Sequence, residues 1–159
     1  MSYDSTFLQI VKRENVPHPP SAVANYVATR RVGDLLFVSG QAPFQGPNIP
    51  PQYLGQLGGT VTTAVGQAAA RLTGLNLLYN VRDALGTLDH VDCIVALDGM
   101  VNSAASFTDQ PKVIDGCSDL LVQIFGENGK HTRSAVGQVV LAFNICVEIK
   151  LMVRVKRDA

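Results

Sequence analysis

The stretch 60–85 sets the strongest constraint on what this chain can fold into. Its apolar residues fall at Val61, Val65, Ala68, Leu72, Leu75 and Tyr79, the three-and-four spacing that lines one face of a helix. Thr60, Thr62 or Thr63 supplies a capping hydroxyl, and Gly86 stands where a helix C-terminus favours a left-handed residue. At about 1.5 Å per residue the helix runs roughly 36 Å, enough to cross a whole sheet. A one-sided apolar helix of that length needs a broad partner layer, and the flanking sequence supplies strands for it.

Two short apolar runs, 22–29 and 35–39, surround the turn Arg31-Val32-Gly33-Asp34 and read as a hairpin. Residues 91–101 alternate as a strand. A polar loop over 102–110 leads into Pro111, favoured at a first helical position. Val113, Cys117, Leu120, Leu121 and Ile124 then mark a second amphipathic helix, closed by Gly126. Two strands, near 134–142 and 146–155, finish the chain.

The order β-β-α-β-α-β-β predicts an α+β, two-layer domain over 1–159, with both helices on one face of a mostly antiparallel sheet. Residues 1–20, ending in Pro17-His18-Pro19-Pro20, read as an N-terminal extension, and 41–59 as a long Pro/Gly-rich loop. In the last strand Val147, Ile149, Leu151, Val153 and Val155 point one way, Cys146, Glu148, Lys150, Met152 and Arg154 the other. The second set lies on a sheet face that no helix covers.

Thirteen basic residues balance thirteen acidic ones, which argues against a dedicated nucleic-acid or membrane-surface binder. Only 16% of residues are charged against 47% hydrophobic, so apolar surface is expected to be buried against other subunits, a greasy monomer being the plainer alternative. Cys93, Cys117 and Cys146 are odd in number, form no CxxC pair and sit in apolar runs, as in a reducing compartment. The first residues lack the pattern of a signal peptide, and no apolar run is long enough to span a membrane. A soluble, cytoplasmic protein is expected.

Metal chemistry finds little support, because His18, His90 and His131 are scattered and have no partner at ligand spacing. His131 reads as a solvated turn residue. No nucleophile elbow, P-loop or dinucleotide motif appears. Gly55-Gln-Leu-Gly58-Gly59 before the long helix reads as a helix entry, or more weakly as an anion site. The best constellation is Arg133 at the mouth of the penultimate strand, with Glu148 on the polar face of its expected antiparallel partner. A guanidinium there could hold a carboxylate through two parallel hydrogen bonds, and a glutamate could orient or deprotonate a water. The plainer alternative makes Arg133 a surface cation and pairs Glu148 with Lys150 or Arg154.

Val38-Ser39-Gly40-Gln41-Ala42-Pro43, Thr132-Arg133-Ser134-Ala135-Val136 and Val147-Glu148-Ile149 resemble, in order and separation, the motifs of the Rid/YjgF/YER057c/UK114 family. The likeness runs from about Tyr26 to Val155. It is greatest to a longer branch whose strings stand here at 99–103, 107–113, 118–121 and 125–129. The resemblance implies a chorismate-mutase-like fold, a homotrimer with ligand clefts between subunits, and hydrolysis of 2-imino acids to 2-keto acids and ammonia.

On that resemblance Arg133 grips the substrate carboxylate, and Glu148 attends the attacking water. Tyr26 lines the cleft from a neighbouring chain, the backbone at Gly40 and Ala135 flanks the ligand, and Asn102 is a further cleft residue. No metal or other cofactor is implied, since the C=N carbon is already electrophilic. The chain departs from the family pattern at Ala135, where the deaminase branch often has Cys. It departs again at Lys150, where an acidic residue is common, at Leu141-Ala142-Phe143, which lacks a Leu-Pro turn, and in the long loop 44–58. Other readings are a non-catalytic sensor of keto acids and, with fewer features behind it, an endoribonuclease or translation inhibitor. Chorismate mutase activity follows from fold analogy alone.

Overall fold

A computed structural model describes residues 1–22 and 24–157. Five strands form one sheet in the order β1-β2-β5-β3-β4: β1 Thr29–Val32, β2 Leu35–Gln41, β3 Val91–Asn102, β4 Thr132–Gln138 and β5 Val147–Val155. Helices α2 (Thr63–Leu85) and α3 (Gln110–Phe125) cover one face, and α1 (Tyr3–Arg13) packs at their edge. This is the α+β, two-layer architecture that the element order predicts and the chorismate-mutase-like fold that the family resemblance implies, with a third helix added.

The long helix keeps its expected span because both ends are capped. Thr62 accepts a hydrogen bond from the Val65 amide, and Gly86 ends the helix in the left-handed region at φ 79°. The face built on Leu72, Leu75, Leu78 and Val81 is buried against Ile149, Leu151 and Val153 of the sheet. In β5 burial alternates residue by residue, with Val147, Ile149, Leu151, Val153 and Val155 all toward the helices. The opposite face carries Phe37, Asp98, Lys150 and Met152 and forms an open concavity of about 680 Å³.

Three expectations need correction. Residues 1–20 are not a bare extension, since 3–13 form α1. Ser2 caps it, and Phe7, Ile10 and Val11 are buried. Two arginines of α2 hold this helix: Arg82 reaches Asp4 through Nε and Nη2 (2.8 and 3.2 Å), and Arg71 reaches Glu14 through the same two atoms (3.1 and 2.8 Å).

The first hairpin strand begins at Thr29 rather than at 22, and Val23 lies outside the described residues. Finally, the penultimate strand is Thr132–Gln138 and runs parallel to β3, reached through α3 as a βαβ crossover. It does not pair with β5, because β3 lies between them.

The segment between β2 and α2 has no long element, as expected, but is tied down by backbone bonds. Leu57 donates to Asn102 O, Gly55 to Asn144 O, and Cys146 to Tyr53 O, each at 2.8 Å. The buried Asn76 amide also donates to the Ala42 and Phe44 carbonyls, both at 3.0 Å. Two of these bonds tie the segment to Asn144 and Cys146, just before β5.

Candidate functional site

Three of the expected site residues converge in one cavity. Tyr26, Gly40 and Glu148 line a recess of about 340 Å³, walled otherwise by Phe44, Phe143 and Ile145. Glu148 reaches it from the uncovered face of β5, opposite Met100. Its carboxylate makes no hydrogen bond or ion pair among the described residues. The alternative partners are occupied elsewhere: Lys150 lies 3.6 Å from Asp98, and Arg154 donates to Asp92 at 2.6 Å.

Gly40 sits in a bulge of β2, where the register slips between Val38 and Gln41. A methyl group there would run into the Glu148 carboxylate, so only glycine leaves that side chain its position. The backbone at Phe143 and Asn144 is left-handed, φ 56° and 59°, a strained pair that turns an exposed Phe143 ring to the rim of the cavity.

Arg133 and Ala135 lie elsewhere. In β4 they stand opposite Leu97 and Gly99 of β3, on the helix side of the sheet. Arg133 turns onto α3, where Nη1 donates to Asp115 Oδ1 at 2.7 Å and to Ser118 Oγ at 3.2 Å. Glu148 and Arg133 thus occupy opposite faces of the sheet, two strands apart.

Asn102 is fully buried at the end of β3. It donates to Asn144 Oδ1 and the Ile145 carbonyl at 3.2 and 3.1 Å, while its own Oδ1 has no partner among the described residues. Asn102 does not itself line the recess, although Ile145, to which it donates, does.

His131 is not a solvated turn residue. It is half-buried, with Nδ1 at 2.6 Å from the Gly129 carbonyl and Nε2 at 3.0 Å from Ser118 Oγ. Burial pushes its imidazole below the usual histidine range, and the Arg133 charge adds to this, outweighing the opposing bond to Gly129. The thiols of Cys117 and Cys146 are both pushed up to about 12 by burial, which keeps them protonated and unreactive. No group of three or more His, Cys, Asp or Glu among the described residues is placed to hold a metal ion.

Residues 9–155 match the family described as "YjgF/chorismate_mutase-like, putative endoribonuclease". The chain belongs to the YjgF/chorismate mutase-like family. Among curated relatives, Protein TCP17 of Trypanosoma cruzi is 41% identical over 139 residues, covering 87% of this chain and 86% of the relative. Among solved structures, the protein Atu1372 of Agrobacterium tumefaciens, of unknown function, superposes with a TM-score of 0.88 at 36% identity, covering 97% of this chain and 95% of its own. A structure from Shewanella oneidensis, titled "a putative endoribonuclease", gives 0.87 at 34% identity, covering 98% and 100%.

Within this YjgF-like fold, the groups that sequence reasoning missed are Asp115, Ser118 and His131 beside Arg133, and Phe44 and Phe143 beside Glu148. Asp115 and Ser118 are three apart on one helix and therefore share a face, a signal present in the spacing. The aromatic pair comes from two loops, and no local pattern joins them.

Proposed function

We propose that the protein hydrolyses 2-imino acids to 2-keto acids and ammonia in clefts between copies of the chain, in a cytoplasmic homotrimer. The observation that carries this reading is the division of the site. Tyr26, Gly40 and Glu148 form one half on the uncovered sheet face, and Arg133 and Ala135 form the other at the β4 edge. A ligand touching both Arg133 and Glu148 needs the second half from a neighbouring copy. The exposed Phe37, Val136, Val139, Val140 and Phe143 provide apolar surface for such a contact.

In that cleft the Arg133 guanidinium holds the substrate carboxylate, and Glu148 accepts a proton from a water aimed at the C=N carbon. The water oxygen bonds to carbon while the C=N π electrons move to nitrogen, giving a carbinolamine. For an imine that arrives protonated on nitrogen, the proton on Glu148 then passes to the amine, and Glu148 takes up the hydroxyl proton as the C–N bond breaks, so that ammonia leaves and the carbonyl forms. No metal or Schiff-base lysine is needed, because the imine carbon is electrophilic as it arrives. Orientation alone can supply several kcal/mol of barrier reduction.

The test is a coupled assay in which a pyridoxal-phosphate dehydratase generates 2-aminocrotonate and semicarbazide traps the imine. Wild-type protein is expected to hasten imine loss, and Arg133→Ala to abolish the effect. Glu148→Gln should stop turnover while keeping affinity for 2-ketobutyrate. Equal imine decay with and without the wild-type protein, alongside retained keto-acid affinity, moves the assignment to a non-catalytic binding protein.

A further inference from the structure

Resting on the carboxylate-gripping role of Arg133, we propose that Asp115 and Ser118, backed by His131, are positioning residues that fix the guanidinium by one nitrogen and present its Nε–Nη2 edge to the ligand. Both bonds from Arg133 use Nη1, to Asp115 Oδ1 at 2.7 Å and to Ser118 Oγ at 3.2 Å. Nε and Nη2 make no hydrogen bond among the described residues. That edge carries two parallel N–H groups, the pair that matches a carboxylate side-on. The molecule uses the same edge twice elsewhere, where Arg82 and Arg71 clamp Asp4 and Glu14 through Nε and Nη2.

The hydrogen-bond chain has a direction that its far end dictates. Gly129 O is a carbonyl and only accepts, so His131 Nδ1 carries the proton. In the neutral ring Nε2 is then a bare acceptor, and the Ser118 hydroxyl donates to it. The hydroxyl's lone pairs are left for Arg133 Nη1. Asp115 and Ser118 project from α3, an element of rigid backbone, so the guanidinium plane is set before any ligand arrives.

The experiment measures the affinity of 2-ketobutyrate by calorimetry, and KM and kcat for imine hydrolysis, in full-length protein. Asp115→Ala and Ser118→Ala are each expected to weaken keto-acid binding and raise KM by about tenfold or less, with kcat largely kept. Asp115→Asn, which keeps an acceptor oxygen, should recover most of the affinity. Such a rescue separates positioning from a general effect on folding, and Ser118→Ala serves if Asp115→Ala does not fold. Keto-acid binding that is unchanged or tighter in Asp115→Ala and unchanged in Ser118→Ala, with Arg133→Ala lost, overturns the inference alone. If Arg133→Ala itself binds like wild type, the gripping role fails and the positioning role with it.

Discussion

Arg82 and Arg133 are the same residue type doing opposite work, and the difference lies in which edge of the guanidinium is occupied. Arg82, with Arg71 about three turns earlier on the same face of α2, spends its Nε–Nη2 edge on a carboxylate of its own chain and so fastens α1 to α2. Among the described residues Arg133 is held only by Nη1, which leaves that edge open. Exposure alone separates them poorly, since the Arg82 side chain is 34% exposed and that of Arg133 27%. Which donors remain unspent is the better guide to a binding cation.

The largest expected effect breaks this comparison if it fails. Arg133→Ala should lower imine hydrolysis by about a hundredfold or more while leaving the denaturation midpoint close to wild type. Arg82→Ala should do the reverse, costing about 1–2 kcal/mol of stability with kcat/KM unchanged, because it leaves the largely buried Asp4 carboxylate without its cation, held by the Leu88 amide. Paired urea melts and steady-state kinetics on the two variants check both halves. Matching losses in both variants would erase the distinction between a clamp and a grip.

A smaller effect sharpens the other half of the site. Gly40→Ala places a methyl group where the Glu148 carboxylate lies, and the flexible end of that side chain must move. The expected outcome is a drop in kcat of about tenfold with keto-acid affinity kept, read from single-turnover kinetics and calorimetry. Loss of affinity without loss of kcat would place Glu148 in ligand binding instead.

These two half-sites also mark where sequence reasoning ran well and where it stopped. The helix 60–85, the alternation of β5 and the strand–helix order are carried by repeats of three-and-four or two, which are legible within a single segment. The α1 pattern was equally present, with Ser2 before Phe7, Ile10 and Val11 at helical spacing, but the prolines at 17–20 drew the whole segment toward irregular structure. The sidedness of Arg133 and Glu148 was out of reach for a different reason. It depends on β3 inserting between β4 and β5, a choice of strand order that no local spacing encodes. The residues that resemble a known family's site could therefore be named from sequence, while their division between two faces required coordinates.

The smallest effect tests the clamps by acid. Burial alone would raise the Asp4 carboxyl, but hydrogen bonds from Arg82 and the Leu88 amide, with the Arg82 charge, bring it below its ordinary value. For Glu14 the hydrogen bond from Arg71 is the leading cause of a shift in the same direction. A carboxylate whose folded pKa is depressed contributes stability that is complete above its unfolded value. That stability is lost as pH falls through the folded one. The loss therefore begins near pH 4 and deepens below it. His131, held below its ordinary value, gives a separate window: stability begins to fall where an unfolded histidine takes up its proton, near pH 6.5, and stops falling once the folded ring is protonated. Urea melts from pH 7 to 3 should show both slopes in wild type. Arg71→Ala combined with Arg82→Ala should flatten only the lower one, because the His131 cluster lies on the β4 side of α3 and, among the described residues, shares no hydrogen bond with the clamps. A flattened upper slope in that double variant would mean that the two regions are coupled, and that Arg133's setting depends on how α1 is docked.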